Sequence, residues 1–190
     1  MGKLPDERVR QELSDLLWAC KLSVRYHKAR LSFYQLWADR LSIISVVSGG
    51  AAFASAIAKL PDAYVVTASL IVAVAQAIDL VVSPAKKARL HSDLARRFIT
   101  LEQKALREEM CISDPALLKL ESERLEIELE EPPVLGWLSI QMDNEVDAAL
   151  NGESAQPRPI GFWARLFMNY CDVGDSSKTR LPQSHAEKPS

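Results

Sequence analysis

The chain has 190 residues, with 23 Lys and Arg against 25 Asp and Glu and a formal charge of −2. That length allows one domain with room for a tail, and the charge argues against a protein held to nucleic acid by bulk electrostatics, so no nucleic-acid partner is expected. The 48% hydrophobic content is ordinary for a soluble protein, but it is unevenly spread: residues 41–58 carry no charge, residues 63–82 carry one, Asp79, and charge is dense on either side.

Cys20, Cys111 and Cys171 lie far apart in sequence with no C-x-x-C pair, which argues against a disulfide framework or a zinc site and allows a reducing compartment. The start, "MGKLPDERVRQEL", is polar and lacks the short apolar segment and small-residue cleavage site of a signal peptide.

Residues 1–40 predict a long helix. Pro5 and Asp6 mark its start, and Val9, Leu13, Leu16, Cys20, Val24, His27, Leu31, Tyr34 and Ala38 recur at spacings of three and four, forming one apolar seam. Residues 41–82 then predict a transmembrane hairpin with spans 41–58 and 63–82 and a loop 59–62. At 1.5 Å per residue the spans reach about 27 Å and about 30 Å, close to the roughly 30 Å hydrocarbon layer of a bilayer. Both are apolar all round, which demands cover on every side, and a chain of this size has too little protein to bury two such helices.

Basic residues set the orientation. Lys21, Arg25, Lys28, Arg30 and Arg40 precede the first span and Lys86, Lys87, Arg89, Arg96 and Arg97 follow the second, whereas the loop holds only Lys59, offset by Asp62. Both termini are therefore expected on the cytoplasmic side with the loop outside. Pro61 suits that turn because it does not continue a helix.

Helices in lipid associate through close packing of small residues. Ser45, Ser48, Gly49, Ala52 and Ala56 supply them on the first span, and Ser69, Ala73 and Ala77 on the second. These faces either pack together within one hairpin or leave one face, "SGGAA", for another subunit. Gln76 and Asp79 are the polar exceptions. Gln76 suits an inter-subunit hydrogen bond. Asp79, within a turn of the cytoplasmic end, either lines a pore or reaches the interface and pairs with Lys86 or Lys87.

Residues 83–150 predict cytoplasmic helices. Ser83 caps the first, Pro84 opens it, and Leu90, Leu94, Phe98, Leu101 and Ala105 form a seam. Because both spans end on one side, this helix and the N-terminal one are expected antiparallel, seam to seam. Ser113 or Asp114 with Pro115 begins another helix, which Pro132 and Pro133 end, and "VLGWLSIQMDNEVDAAL" forms a fourth, closed by Asn151-Gly152. Residues 151–171 are a linker and a short amphipathic helix, in which Phe162, Trp163, Leu166, Phe167 and Tyr170 surround Arg165; it either lies in lipid headgroups or docks on the helical body. Residues 172–190 are too polar to fold. The expected class is thus an all-α membrane protein, a two-span helical hairpin with long antiparallel cytoplasmic helices.

The chain holds no phosphate-cradling glycine loop, no H-E-x-x-H, no G-x-S-x-G and no paired carboxylates near a histidine. His27 and His91 fall at different depths along their helices, so a shared metal is not expected. These readings point to a non-enzyme without cofactor or metal.

The order of parts resembles SLATT domains, two-transmembrane effector domains associated with bacterial nucleotide-second-messenger systems. The resemblance is carried by "YHKARLSFYQLWADRLSIISVVSGGAAFASAI" (26–57), by "PAKKARLHSDLARRFITLEQKAL" after the hairpin (84–106) and by "EPPVLGWLSIQMDNEV" (131–146), and it covers about residues 10–150. It implies a membrane effector of anti-phage defence in the bacterial inner membrane. Such a protein forms a homo-oligomer that permeabilises the bilayer under control of a cyclic nucleotide, a nucleotide-cyclase system or another partner. It supplies no catalytic residue. Arg96, Arg97 and Lys104 are the side chains suited to contact nucleotide phosphates, or else form a membrane-proximal basic collar. A membrane-anchored scaffold or sensor without permeability activity, prophage-encoded in one version, is the alternative; a holin-like lysis protein fits less well with so large a helical body.

Overall fold

A computed structural model of the chain describes residues 7–58, 61–108 and 112–170. The regular structure in them is helical, with no strand among the described residues. In chain order the elements are α1 (Glu7–Ile57), α2 (Asp62–Val82), α3 (Pro84–Glu108), α4 (Asp114–Glu128), α5 (Gly136–Asn151), a 3-10 turn (Gly152–Ser154) and α6 (Phe162–Phe167). The expected N-terminal helix and first apolar run are one uninterrupted helix of 51 residues. The expected tail 172–190, together with Lys59, Cys111 and Cys171, lies outside the described residues.

The chain divides into two compact units, Met1–Lys28 with Asp93–Ser190, and Ala29–Ser92. In the first unit the predicted seams form the core. Val9, Leu13, Leu16, Cys20 and Val24 of α1 meet Leu94, Phe98, Leu101 and Ala105 of α3, with Ile112 and α4's Leu117, Leu120 and Ile127 closing over them. The pairing is antiparallel: His27 stacks on Phe98 at 5.7 Å, while Cys20, earlier on α1, feels the charge of Glu102, later on α3. Apolar positions three and four apart on each helix make one continuous face, and burying a side chain the size of Phe98 or Leu16 contributes about 1.5–3 kcal/mol.

Polar contacts fix how the later elements sit on this core. His27, almost wholly buried, places Nε2 2.9 Å from Glu131 Oε1, so the imidazole N–H donates to the carboxylate just beyond α4. One residue earlier the Tyr26 hydroxyl accepts a hydrogen bond of 3.0 Å from the Leu135 N–H, at the start of α5. Together these contacts fasten both ends of the "EPPVL" connection to one turn of α1. Burial pushes the Glu128 carboxyl up from its ordinary value, against the pull of Arg124, and the nearby Glu131 adds to the rise. After α5, Gly152 takes a positive φ of 52°, a conformation glycine adopts without strain. The following linker is clipped back onto α5. Asn144 donates to the Arg158 carbonyl and accepts from the Arg158 N–H, both at 2.8 Å, and Asp143 pairs with the Arg158 guanidinium.

In the second unit, α2 ends at Ser83, whose φ of 48° turns the chain sharply. Its N–H donates to the Asp79 carbonyl at 2.9 Å, and its own carbonyl accepts from the Lys86 and Lys87 N–H groups of α3. Pro84, fully buried, opens α3 as expected, where its missing N–H costs nothing. The Ser83 hydroxyl points backward, donating to the Leu80 carbonyl at 3.0 Å, so the cap is made by main chain rather than by side chain.

Burial of Cys20 in the first unit has a measurable consequence. Desolvation, with a smaller push from Glu102, raises the thiol from near 9.0 to about 12. The folded state therefore keeps a proton that the unfolded chain releases. Its contribution to stability is intact below the unfolded value and is lost as pH rises from about 9 to about 12. In a Cys111→Ser/Cys171→Ser background, Cys20 is expected to resist a thiol reagent at pH 8 while folded and to react fully in denaturant. Equal rates in both states would contradict this packing.

Candidate functional site

The helical stretch Asp62–Glu108, which begins with α2, holds an 18-residue window apolar enough to cross a bilayer, and only 6% of that window is buried. A core helix of a soluble protein has the reverse property. Val66, Leu70, Val74, Leu80 and Val81 of α2 are exposed, Val81 to 83%. The last third of α1 is alike, with Ile43, Val46, Val47 and Phe53 exposed, Val46 to 74%.

These two segments share a stripe. On α1 the partly covered positions are Ser45, Ser48, Gly49, Ala52 and Ser55, and on α2 they are Val65, Ala68, Val72 and Ile78, with Ala75 buried among them. Gln76 donates to the Ser45 hydroxyl at 2.9 Å, tying the helices together. The structure thus gives Gln76 a partner inside its own chain, where an inter-subunit bond was expected. Of the predicted packing residues, Ser45, Ser48, Gly49 and Ala52 lie on the partly covered face of α1. Ser69, Ala73 and Ala77 do not lie on the matching face of α2: they are exposed on its outer side. A Cβ added at Gly49 or Gly50 meets nothing within 4 Å, so neither glycine is required for contact within this chain. Asp79 is exposed and makes no ion pair among the described residues, with Lys86 and Lys87 included.

Where these apolar segments give way to polar sequence, a cation–aromatic cluster joins α1 to α3 within the same unit. Tyr34 stacks on buried His91 with ring centroids 5.6 Å apart and planes within 11°. The Arg30 guanidinium carbon sits 4.6 Å from the Tyr34 ring centroid and 5.4 Å from that of Phe33, and it donates to the Tyr34 hydroxyl. Lys87 Nζ lies 5.6 Å from the same Tyr34 ring, and Phe33 contacts Trp37 at 6.2 Å. Amphipathic rings beside cations are the composition that favours a membrane–water boundary. Tyr34 was legible only as a seam position and His91 only as a lone histidine. The signal available in "ARLSFYQLW" was its aromatic density directly before an apolar run.

The three cations proposed for phosphate contact do come together. Arg96, Arg97 and Lys104 of α3 line one groove of about 380 Å³, with Thr100 and with Glu123 and Glu126 of α4. Two of the three charges are spent: Lys104 pairs with Glu123 at 2.6 Å and Arg97 with Glu130 at 2.6 Å. His27 and His91 each stack on an aromatic ring, and no group of three or more potential ligands gathers among the described residues. The aromatic side chains of α6 stay exposed, Phe162 to 74% and Trp163 to 68%, so the helical body does not cover them.

Cation–π contact with Arg30 is worth about 0.5–2 kcal/mol, and the stack on His91 about 0.5–1.5 kcal/mol. Tyr34→Leu should therefore lower stability in detergent by about 1–3 kcal/mol, read by denaturant titration, whereas Tyr34→Phe keeps the ring and loses less than about 1 kcal/mol. Equal effects from the two would show that the ring is not what matters. Comparison with known protein families, curated proteins and solved structures gives no match for this chain.

Proposed function

We propose that residues 41–57 of α1 and all of α2 cross a bacterial inner membrane as a hairpin with both flanks on the cytoplasmic side. Several copies then associate to permeabilise that membrane, as the effector of an anti-phage defence system governed by a cyclic (oligo)nucleotide or a partner protein. The observation that carries the membrane part is the exposure of large aliphatic residues along both helices. Monomeric soluble proteins rarely leave contiguous apolar patches above a few hundred Å² uncovered, and lipid is the cover that needs no further protein. The excess of basic residues on both flanks supports the orientation.

Two helices enclose no pore, so permeabilisation requires several copies. Ser69, Ala73 and Ala77 support such an assembly, since they form a small-residue row at four-residue spacing that the chain's own α1 leaves open. The helical body, whose core is built from first-unit residues alone, is the part suited to receive a control signal. The defence role and the nucleotide control are drawn from the resemblance of segments 26–57, 84–106 and 131–146.

Inducible expression in bacteria carrying a membrane-potential dye tests this reading. Wild-type chain should depolarise the cells. Ala73→Leu should sharply reduce both depolarisation and cross-linked oligomer while leaving helical content unchanged, because Ala73 contributes no buried contact within the chain. Normal potential with the wild type, with and without cyclic nucleotides, would favour the non-permeabilising scaffold or sensor.

A further inference from the structure

The first unit carries a second groove, of about 320 Å³, whose charge is not spent. It is lined by Lys21, Arg25 and Lys28 of α1, by Glu102 of α3, and by apolar residues that include Val146 and Leu150 of α5. The spacing of the cations, four and then three residues, places them on one side of α1 over about 10 Å of helix. None of the three makes an ion pair among the described residues. Glu102 is the single carboxylate among them. This is the opposite of the α3–α4 groove, where Lys104 and Arg97 are neutralised by Glu123 and Glu130.

Three cations held side by side repel one another, an arrangement a bound anion relieves. A guanidinium flanked by two ammonium groups suits a dianionic oxyanion, because arginine takes it with a two-pronged hydrogen bond and lysine adds point charge. A bare anion would leave the facing wall wet and apolar; Leu150 is 50% exposed there. The size falls at the lower end of small-molecule pockets. We propose that this groove binds a small organic phosphate, with the phosphate on Lys21, Arg25 and Lys28 and an apolar or flat body against Val146 and Leu150. The site stands apart from the membrane reading, since each residue in it belongs to the first unit, and its test reads binding rather than permeability.

The probe is 1-naphthyl phosphate, titrated by fluorescence against the full chain in detergent at about 0.15 M salt, where weak long-range attraction is screened. Saturable binding is expected, with neutral 1-naphthol failing to compete. A charge-assisted contact is worth enough to make Arg25→Gln bind about 10–100-fold more weakly. Lys21→Gln should shift affinity in the same direction, and Arg97→Gln, in the other groove, should leave it unchanged. Competition by adenosine monophosphate assigns the site to soluble phosphates, and competition by dihexanoyl phosphatidic acid assigns it to lipid headgroups. Absence of saturable binding, full affinity in both Arg25→Gln and Lys21→Gln, equal competition by 1-naphthol, or failure of both phosphates to compete would overturn the proposal.

Discussion

Uncovered aliphatic surface on two neighbouring helices is the constraint around which this protein is organised. The backbone there is self-sufficient, because an α-helix satisfies its own N–H and C=O groups and asks nothing of its surroundings. The side chains are not self-sufficient. Val46, Phe53, Leu70 and Val81 are exposed, while the partly covered positions are serines, alanines, a glycine and a few β-branched residues. Small side chains on that stripe leave the large residues outside, where close packing with another helix or with lipid is open to them. The Gln76–Ser45 hydrogen bond adds direction to an interface that would otherwise be free to rotate.

The helical body follows different rules. Its core lies inside, in one seam on each of α1 and α3 and a lid from α4. Two of its most buried polar side chains from α1, Tyr26 and His27, enter with partners. His27 is buried between Phe98 and Glu131, and the Tyr26 hydroxyl meets a main-chain N–H that the irregular "EPPVL" connection would otherwise leave unsatisfied. A buried donor or acceptor without a partner costs about 1–3 kcal/mol, which explains why a connection broken by two prolines can lie against the core at all. Cations divide as well: Arg97 and Lys104 of α3 are matched by Glu130 and Glu123, whereas Lys21, Arg25 and Lys28 on one α1 face line a groove with a single carboxylate.

Legibility in the sequence tracked periodicity. In α1, Val9, Leu13, Leu16, Cys20 and Val24 stand out against charged neighbours, so their common face was evident, and so was that of Leu94, Phe98, Leu101 and Ala105. Helix ends were legible where a stop has a mechanism, at Ser83-Pro84, Pro115 and Asn151-Gly152. In α2, Gln76 and Asp79 apart, almost every position after Asp62 is apolar or small, the contrast fades, and the pattern does not say which side faces α1. The row Ser69, Ala73, Ala77 was a reasonable inner face; the chain covers Ala68, Val72 and Ala75 instead, one or two positions earlier on the helix. Contacts between distant segments were illegible for another reason. His27 to Glu131, Asn144 to Arg158 and the joining of Arg25 with Val146 depend on how helices are placed, which local pattern does not encode. The cation–aromatic cluster lies between these cases: its residues were visible, but the stack of Tyr34 on His91 was not.

The central claim is that lipid, rather than water or another protein surface, covers these helices. Spin labels at single cysteines replacing Val47, Phe53, Leu70 and Val74, with the native cysteines changed to serine and the protein in phospholipid vesicles, measure this directly. Collision with oxygen reports hydrocarbon and collision with a water-soluble nickel chelate reports solvent. The account predicts high oxygen and low nickel access at all four positions, most extreme for labels nearest the middle of each apolar run. Nickel access at these positions equal to that of a label on the exposed face of α4 would contradict it.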